Sequence, residues 1–153
     1  MNVLTKYKPL VTEPVHVQAP KKFYEDKYAT LSFEDAIPCV KLKLSGVPQS
    51  SDHYQFVQHK LIESVQTGLE NYVRLHLLTD SSKAGLVLDE DILYYQTTII
   101  PALEKAGIRN HAIVLPDSLL VRLTTHQTML STRKLKVACF ESLRGAHAWL
   151  KHQ

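Results

Sequence analysis

Five polar residues of this 153-residue chain have the types and positions expected of a binding crevice: Asp80, Ser81, Ser82, Asp89 and Asp117. Carboxylates and hydroxyls can bind a partner or a small ligand. In a parallel sheet, bound ligands gather outside the carboxyl ends of the strands. The alternative role of such residues is to cap helices and form ordinary loops. The sequence therefore predicts either a polar crevice at this edge of a sheet or a set of local caps.

No catalytic motif accompanies these residues. No serine lies in a G-x-S-x-G elbow, and the chain has no H-E-x-x-H, no C-x-x-C and no glycine-rich nucleotide loop. His53 and His59 are six residues apart, so they do not share a helix face as a metal-binding pair would. A triad whose members meet only in space stays open as an alternative. We expect no enzyme activity, no catalytic residues, no metal and no cofactor.

Tyr94 and Tyr95, together with Tyr54 and Tyr72, could form an aromatic patch. If the patch is exposed, it favours a homodimer or an interface with a partner protein. Helical tyrosines in the core or at its rim are the alternative.

The composition argues against several other classes of protein. A net charge of only +3 gives no electrostatic footprint for nucleic acid. The apolar runs are far shorter than the roughly 20 residues of a membrane span. The amino terminus lacks the apolar region of a signal peptide, so we expect a cytoplasmic protein. Cys39 and Cys139 lie in apolar segments, and we expect them to be buried rather than joined by a disulfide.

Alternating strand and helix patterns must position the polar residues. Strands are predicted at residues 28–34, 39–44, 73–78, 112–115 and 136–140, from two-residue alternation or short apolar runs. Helices are predicted to begin at Ser50 or Ser51, at Asp89, at Asp117 and at Ser142. Residues 79–85 read as a loop.

The second predicted helix has markers at both ends and one in its interior. Asp89 is its predicted N-cap, and Gly107 is the glycine expected just after its last residue. Pro101 lies inside the helix and has no N–H to donate, so it predicts a kink.

The element order ββαβαβαβα predicts an α/β fold with right-handed crossovers. We expect a single domain over residues 23–153, with a five-stranded, mostly parallel mixed sheet, an N-terminal β-hairpin and about four helices. Residues 1–22 contain Pro9, Pro14 and Pro20 and are predicted to form an extended or disordered arm.

A family resemblance rests on several short segments. They are residues 44–46, 77–80, 99–108, 112–116, 140–143 and 148–150. In this order and spacing they resemble the anti-sigma-antagonist (STAS, SpoIIAA-like) domains of bacteria and their SEC14-like relatives. The resemblance covers roughly residues 24–150.

The resemblance implies a non-enzymatic regulatory domain that binds a protein partner, or a second copy of itself, through the second helix and residues 80–91. The alternative that it implies is a SEC14-like carrier of a small apolar ligand or lipid, with a pocket opened at Pro101. The phosphoacceptor position of the sporulation regulators falls near Asp89, which is a carboxylate, so we expect no working serine phosphoswitch. A second register would place the acceptor at Ser81 or Ser82.

Overall fold

The computed structural model describes residues 21–128 and 134–153, except for the side chains of residues 124–128. Its elements are β1 (Lys21–Glu25), β2 (Ala29–Glu34), β3 (Cys39–Gly46), α1 (Ser51–Asn71), β4 (His76–Ala84), α2 (Asp89–Tyr94), a π-helical turn (Tyr95–Ile99), α3 (Ile100–Ala106), β5 (Asn110–Val114), α4 (Leu119–Thr128), β6 (Lys136–Phe140) and α5 (Leu143–Lys151). The predicted α/β order is confirmed. Residues 1–20 of the predicted arm lie outside the described residues.

The described strands form one sheet in the order β1-β2-β3-β4-β5-β6. The pairs β1–β2 and β2–β3 are antiparallel, and the remaining pairs are parallel. The sheet has six strands instead of the predicted five. The additional strand is β1, whose residues are exposed or only partly buried and therefore lack the apolar alternation that marks a strand. A β-bulge at Phe23 interrupts its pairing with β2.

Neighbouring side chains of β4 face opposite layers of the protein. Leu77 packs in a core with residues of α1 and α3, whereas Leu78 packs in a second core with residues of α5. Gly68 lets α1 lie close to the first layer. A Cβ atom at this position would lie 2.7 Å from Leu75 Cδ2 and 2.9 Å from Phe33 Cε1.

The loop predicted at residues 79–85 is wrong, because β4 continues through Ala84. Asp80, Ser81 and Ser82 are therefore strand residues. Asp80 pairs with Lys43 of β3 on one side and with Val114 of β5 on the other. Strand β5 pairs with this stretch only as far as Asp80, and β3 pairs with it again at Lys83 and Ala84. This tertiary pairing outweighs the low β-propensity of the stretch.

The predicted caps at Asp89 and Asp117 are also wrong. Asp89 is the first helical residue of α2, and Leu88 occupies the N-cap position without a side-chain bond to the helix. Asp117 precedes Ser118, whose carbonyl accepts a hydrogen bond from the N–H of Arg122 at the start of α4.

Two other predicted caps are confirmed. Ser50 accepts a hydrogen bond from the N–H of His53, and Ser142 accepts one from the N–H of Gly145.

The interruption predicted at Pro101 takes the form of the π-helical turn immediately before it. The N–H of Ile100 donates to the carbonyl of Tyr95, five residues earlier. The next residue, Pro101, has no N–H to donate. Helix α3 then ends at Gly107, whose φ of 108° lies in the left-handed region, as predicted from the glycine.

Candidate ligand-binding site

A pocket of about 60 Å³ lies between α1, the π-helical turn and the carboxyl-terminal parts of β3 and β4. Its polar lining consists of Tyr28, Tyr54, Gln58, Thr79, Ser81 and Tyr95. We call this the tyrosine pocket. Apolar side chains of β3 and β5 complete the lining, so a few polar groups converge on a largely apolar cavity, as is usual for small-molecule sites.

The three tyrosines of the pocket are almost fully buried. Tyr28, Tyr54 and Tyr95 are 5%, 4% and 5% exposed. Within the described part of the chain, no hydrogen bond joins their hydroxyls to another group. Burial raises the pKa of all three phenols, so each hydroxyl keeps its proton at neutral pH. Each can still donate one hydrogen bond to a ligand and accept others.

Gln58 adds an amide to the same pocket. It lies one turn of α1 beyond Tyr54 and is 2% exposed. Its Oε1 atom is buried and has no hydrogen-bond partner within the described ranges. Leaving such an acceptor unsatisfied costs about 1–3 kcal/mol.

Asp91 lies one turn of helix before Tyr95, whose backbone N–H donates to the Asp91 carbonyl. It is 1% exposed, and its Oδ1 atom has no hydrogen-bond partner among the described residues. Burial is the main cause of the raised pKa of Tyr28 and Tyr54, and the Asp91 carboxylate raises both further. The buried Asp91 carboxyl group therefore belongs to the helical turn that leads into Tyr95 of the tyrosine pocket.

His111 lies under the pocket floor. Its Nε2 atom is 2.8 Å from the hydroxyl oxygen of Thr79, and its Nδ1 atom is buried without a partner in the described residues. Burial lowers the pKa of His111 to about 3, so the ring is neutral at physiological pH. In the described part of the chain, the fully buried side-chain polar atoms without a partner belong to Gln58, Asp91 and His111. Gln58 lines the pocket, and His111 is bonded to Thr79, which also lines it.

The pocket contains only part of the predicted site. Ser81 and Tyr95 line it. Asp80 does not, and its Oδ1 atom accepts hydrogen bonds from the N–H (3.0 Å) and the hydroxyl (2.7 Å) of Ser82. Tyr94 also lies outside, with its hydroxyl 2.5 Å from His59 Nε2.

Asp89 and Asp117 are exposed and do not line the pocket either. The structure therefore does not bring the five predicted crevice residues together.

Sequence reasoning missed Tyr28, Gln58 and Asp91. The signal for Gln58 was present, because a polar residue stands there on the apolar stripe of α1. Tyr28 was predicted only as the first residue of a strand at residues 28–34, yet it precedes β2 and is buried.

A second polar cluster joins β1, β2 and α1. Asp26 Oδ2 accepts hydrogen bonds from the hydroxyl of Tyr24 (2.5 Å) and from His53 Nε2 (2.7 Å). Desolvation opposes ionisation of Asp26, but these bonds and those from the backbone N–H groups of Tyr28 and Ala29 outweigh it and lower its pKa to about 2. The N–H of Gln49 donates to His53 Nδ1. Both ring nitrogens of His53 therefore make hydrogen bonds, so neither is free to act as a base. The Asp26–His53 pair links the segment between β1 and β2 to α1.

The cysteines form no reactive centre. Cys39 is buried as predicted, and burial raises its pKa to about 12, which keeps the thiol protonated. Cys139, expected to be buried, is exposed on β6, at the border of the described sheet. Both thiols are free.

No group of three or more histidine, cysteine, aspartate or glutamate side chains is placed to bind a metal within residues 21–128 and 134–153. No helix in the same ranges combines the length and the apolar composition needed to cross a bilayer.

Comparison with known proteins identifies the fold. No protein-family model and no curated protein matches the chain. Among solved structures, the chain is similar to an uncharacterized protein of the DUF3478 family from Shewanella loihica PV-4, determined at 2.25 Å resolution and described as having a SpoIIAA-like fold. The two are 19% identical, with a TM-score of 0.51 over 89% of this chain and 98% of the other. The fold expected from the sequence resemblance is confirmed: this chain is a domain with a SpoIIAA-like fold.

Proposed function

We propose that this protein is a small-ligand-binding domain, without catalytic activity, whose ligand occupies the tyrosine pocket. The observation that carries the proposal is the grouping of unsatisfied polar atoms. The buried atoms Gln58 Oε1 and Asp91 Oδ1 have no partner within the described ranges, and they lie in or beside one cavity.

The energetics favour an occupant for this cavity. Each buried polar group without a partner destabilises the fold by about 1–3 kcal/mol. Folded proteins usually satisfy such groups, and exceptions often mark functional sites. A ligand with hydrogen-bonding groups would satisfy Gln58 and the three tyrosine hydroxyls together. Ordered water is the competing occupant, because about 60 Å³ is enough to hold it.

The groups at the pocket support binding more than catalysis. Burial raises the pKa of the three phenols and keeps the His111 ring neutral, and that ring is hydrogen-bonded to the Thr79 hydroxyl. A nucleophile paired with a base is the minimum for hydrolytic chemistry. The described lining offers hydrogen bonds and ring surfaces for recognition.

The test compares two substitutions on α1. Gln58→Leu removes the unsatisfied amide from the pocket, whereas Gln66→Leu makes the same change at an exposed position. We expect Gln58→Leu to raise the free energy of unfolding of the ligand-free protein by about 1 kcal/mol or more, because it removes an unpaired buried group. It should also weaken binding of fragments whose contacts map to the tyrosine pocket. Gln66→Leu should change neither quantity.

The measurements are urea denaturation and ¹H–¹⁵N spectra recorded with a fragment library. Native mass spectrometry of the purified protein adds a search for a ligand that co-purifies. A pocket that binds no fragment, in a protein that Gln58→Leu destabilises, would mean that ordered water satisfies these atoms. The proposal would then be wrong.

A second candidate function, binding to a protein partner or to a second copy, rests on exposed leucines. Leu86 and Leu88 precede α2 and are 45% and 59% exposed, and Leu93 in α2 is 60% exposed. Helix α4 contacts α2 and exposes Leu119 (73%) and Leu123 (59%). We call these five residues the leucine surface. Exposed apolar side chains on neighbouring segments favour an interface.

A further inference from the structure

The charges around the tyrosine pocket select among ligands. Among the described residues, its lining contains no lysine, arginine or histidine side chain. Burial is the main cause of the raised pKa of Tyr28, and the carboxylates of Asp91 and Asp26 raise it further. An anion entering the pocket would therefore find hydroxyls and an amide in the described lining but no cationic side chain.

The burial of the Asp91 carboxyl group strengthens the preference for a cationic ligand. Its side chain is 1% exposed, and Oδ1 has no hydrogen-bond donor among the described residues. A buried carboxylate without a partner is strongly destabilising, and an opposite charge nearby offsets much of that penalty. A cationic ligand would supply this charge when it binds.

The tyrosines favour the same class of ligand. The face of an aromatic ring attracts a cation, and the attraction is strongest where water is excluded. Tyr28, Tyr54 and Tyr95 line the cavity together, and each is about 95% buried. Gln58 Oε1 adds an acceptor for an N–H donor, since it has no other partner in the described part of the chain.

The volume sets the size of the group that enters. A cavity of about 60 Å³ is smaller than the roughly 150 Å³ that encloses benzene in a protein core. The partly exposed residues Leu44, Ala84, Gly85 and Val87 form its mouth. A compact head group fits inside, and any longer part of the molecule passes out between these residues.

From this geometry we propose that the tyrosine pocket binds the ammonium head group of a small organic amine, with Asp91 as its counter-charge. The inference rests on the proposed function and adds the ligand class to it. The three N–H groups of the ammonium donate hydrogen bonds to acceptors drawn from the tyrosine hydroxyls and Gln58 Oε1, and the apolar lining contacts its carbon atoms.

The experiment uses three probes of equal chain length: n-butylammonium, 1-butanol and butyrate. Each is titrated into the ¹⁵N-labelled full chain at pH 7 and followed by ¹H–¹⁵N shifts of the pocket residues. We expect butylammonium to bind at least about tenfold more tightly than butanol, in line with about 1.4 kcal/mol of charge recognition. Butyrate should bind most weakly.

Two variants separate Asp91 from general effects of charge. Asp91→Asn should reduce the preference for butylammonium over butanol to less than about threefold, because it removes the counter-charge. Asp89→Asn, two residues earlier at an exposed position, should leave the preference unchanged. The readout is the ratio of the butylammonium affinity to the butanol affinity, measured within each folded variant. A change in stability does not alter this ratio.

The outcomes distinguish the two proposals. If butanol or butyrate binds the pocket as tightly as butylammonium, or if Asp91→Asn keeps the full preference, the amine assignment is wrong and the proposed function stands. If fragments of another class bind while butylammonium does not, the same conclusion follows. If neither these probes nor any library fragment shifts the pocket residues, both proposals are wrong.

Discussion

Thr79 and His111 face each other across β4 and β5, with the threonine hydroxyl oxygen 2.8 Å from His111 Nε2. The pair lies beneath the tyrosine pocket and His111 has no exposed surface. Only one ring nitrogen is satisfied, because Nδ1 has no partner in the described residues. Burial therefore keeps the His111 ring neutral, so protonating this ring in the folded state costs free energy.

Acid should destabilise the protein through His111. Its pKa is about 3 in the folded state and near 6.5 when unfolded, so the unfolded chain binds the proton first as the pH falls below about 6.5. Stability is lost progressively between pH 6.5 and 3. Between pH 7 and pH 5 we expect a loss of about 2 kcal/mol from this group, measured by urea denaturation at each pH.

Two variants test this prediction: His111→Leu removes the buried ring, and His152→Gln is the control. His111→Leu should remove most of the extra loss between pH 7 and pH 5, whatever its effect on stability at pH 7. His152 is exposed near the carboxyl terminus, and His152→Gln should keep the acid sensitivity. An unchanged slope in His111→Leu would show that another group is responsible.

Replacement of Gly68 by alanine should destabilise the protein. Alanine favours a helix by about 1 kcal/mol over glycine, but its Cβ would lie within 3 Å of Leu75 and Phe33. Overpacking of this kind costs about 1–3 kcal/mol, so we expect a lower thermal midpoint. Gly145→Ala in α5 is the control, since its Cβ would stand 3.4 Å from Phe140. We expect that variant to be unchanged or stabilised, and a stabilised Gly68→Ala would contradict the close approach of α1.

Replacement of Leu88 by serine should stabilise α2. Leu88 is the N-cap and makes no side-chain bond to the helix, whereas a serine hydroxyl can accept one. The expected gain is about 1 kcal/mol, measured by chemical denaturation. Ser50→Ala should lower stability by a similar amount, because Ser50 caps α1. Asp89→Ala should have a smaller effect, about 0.3–1 kcal/mol and reduced by salt, because Asp89 interacts with the helix dipole alone.

The leucine surface gives a test of the second candidate function. Leu119 and Leu123 are exposed on α4, so the double change to glutamine should alter the free energy of unfolding by less than about 0.5 kcal/mol for each site. If this surface is an interface, the same change should shift the sedimentation coefficient toward that of a monomer, or abolish capture of a partner. Identical sedimentation and capture for both proteins would remove this candidate.

Strong local signals made much of the fold predictable. Gly107 ends α3 because a glycine tolerates its positive φ, and this requirement is visible in the sequence. The pattern of apolar residues in the sequence also located β3 and β6, where apolar positions alternate or cluster. By contrast, β1 carries no such pattern, and the second half of β4 has the polar composition of a loop until parallel neighbours pair with it.

The candidate site was less predictable, because its residues meet only in the folded chain. Tyr28 precedes β2, Gln58 belongs to α1, and Tyr95 starts the π-helical turn. No local periodicity brings these three together. Ser81 and Tyr95 were identified from the sequence, yet the first was expected in a loop and the second at an interface.

The β-bulge at Phe23 bears on solubility. Strand β1 forms one border of the described sheet, where unpaired backbone groups can recruit a strand of another molecule. The bulge disturbs the regular ladder there, and the exposed charged side chains of Lys21, Lys22 and Glu25 would lose contact with water if two such borders met. These features disfavour growth of intermolecular sheets from this side, and removing both the bulge and the charges should promote aggregation.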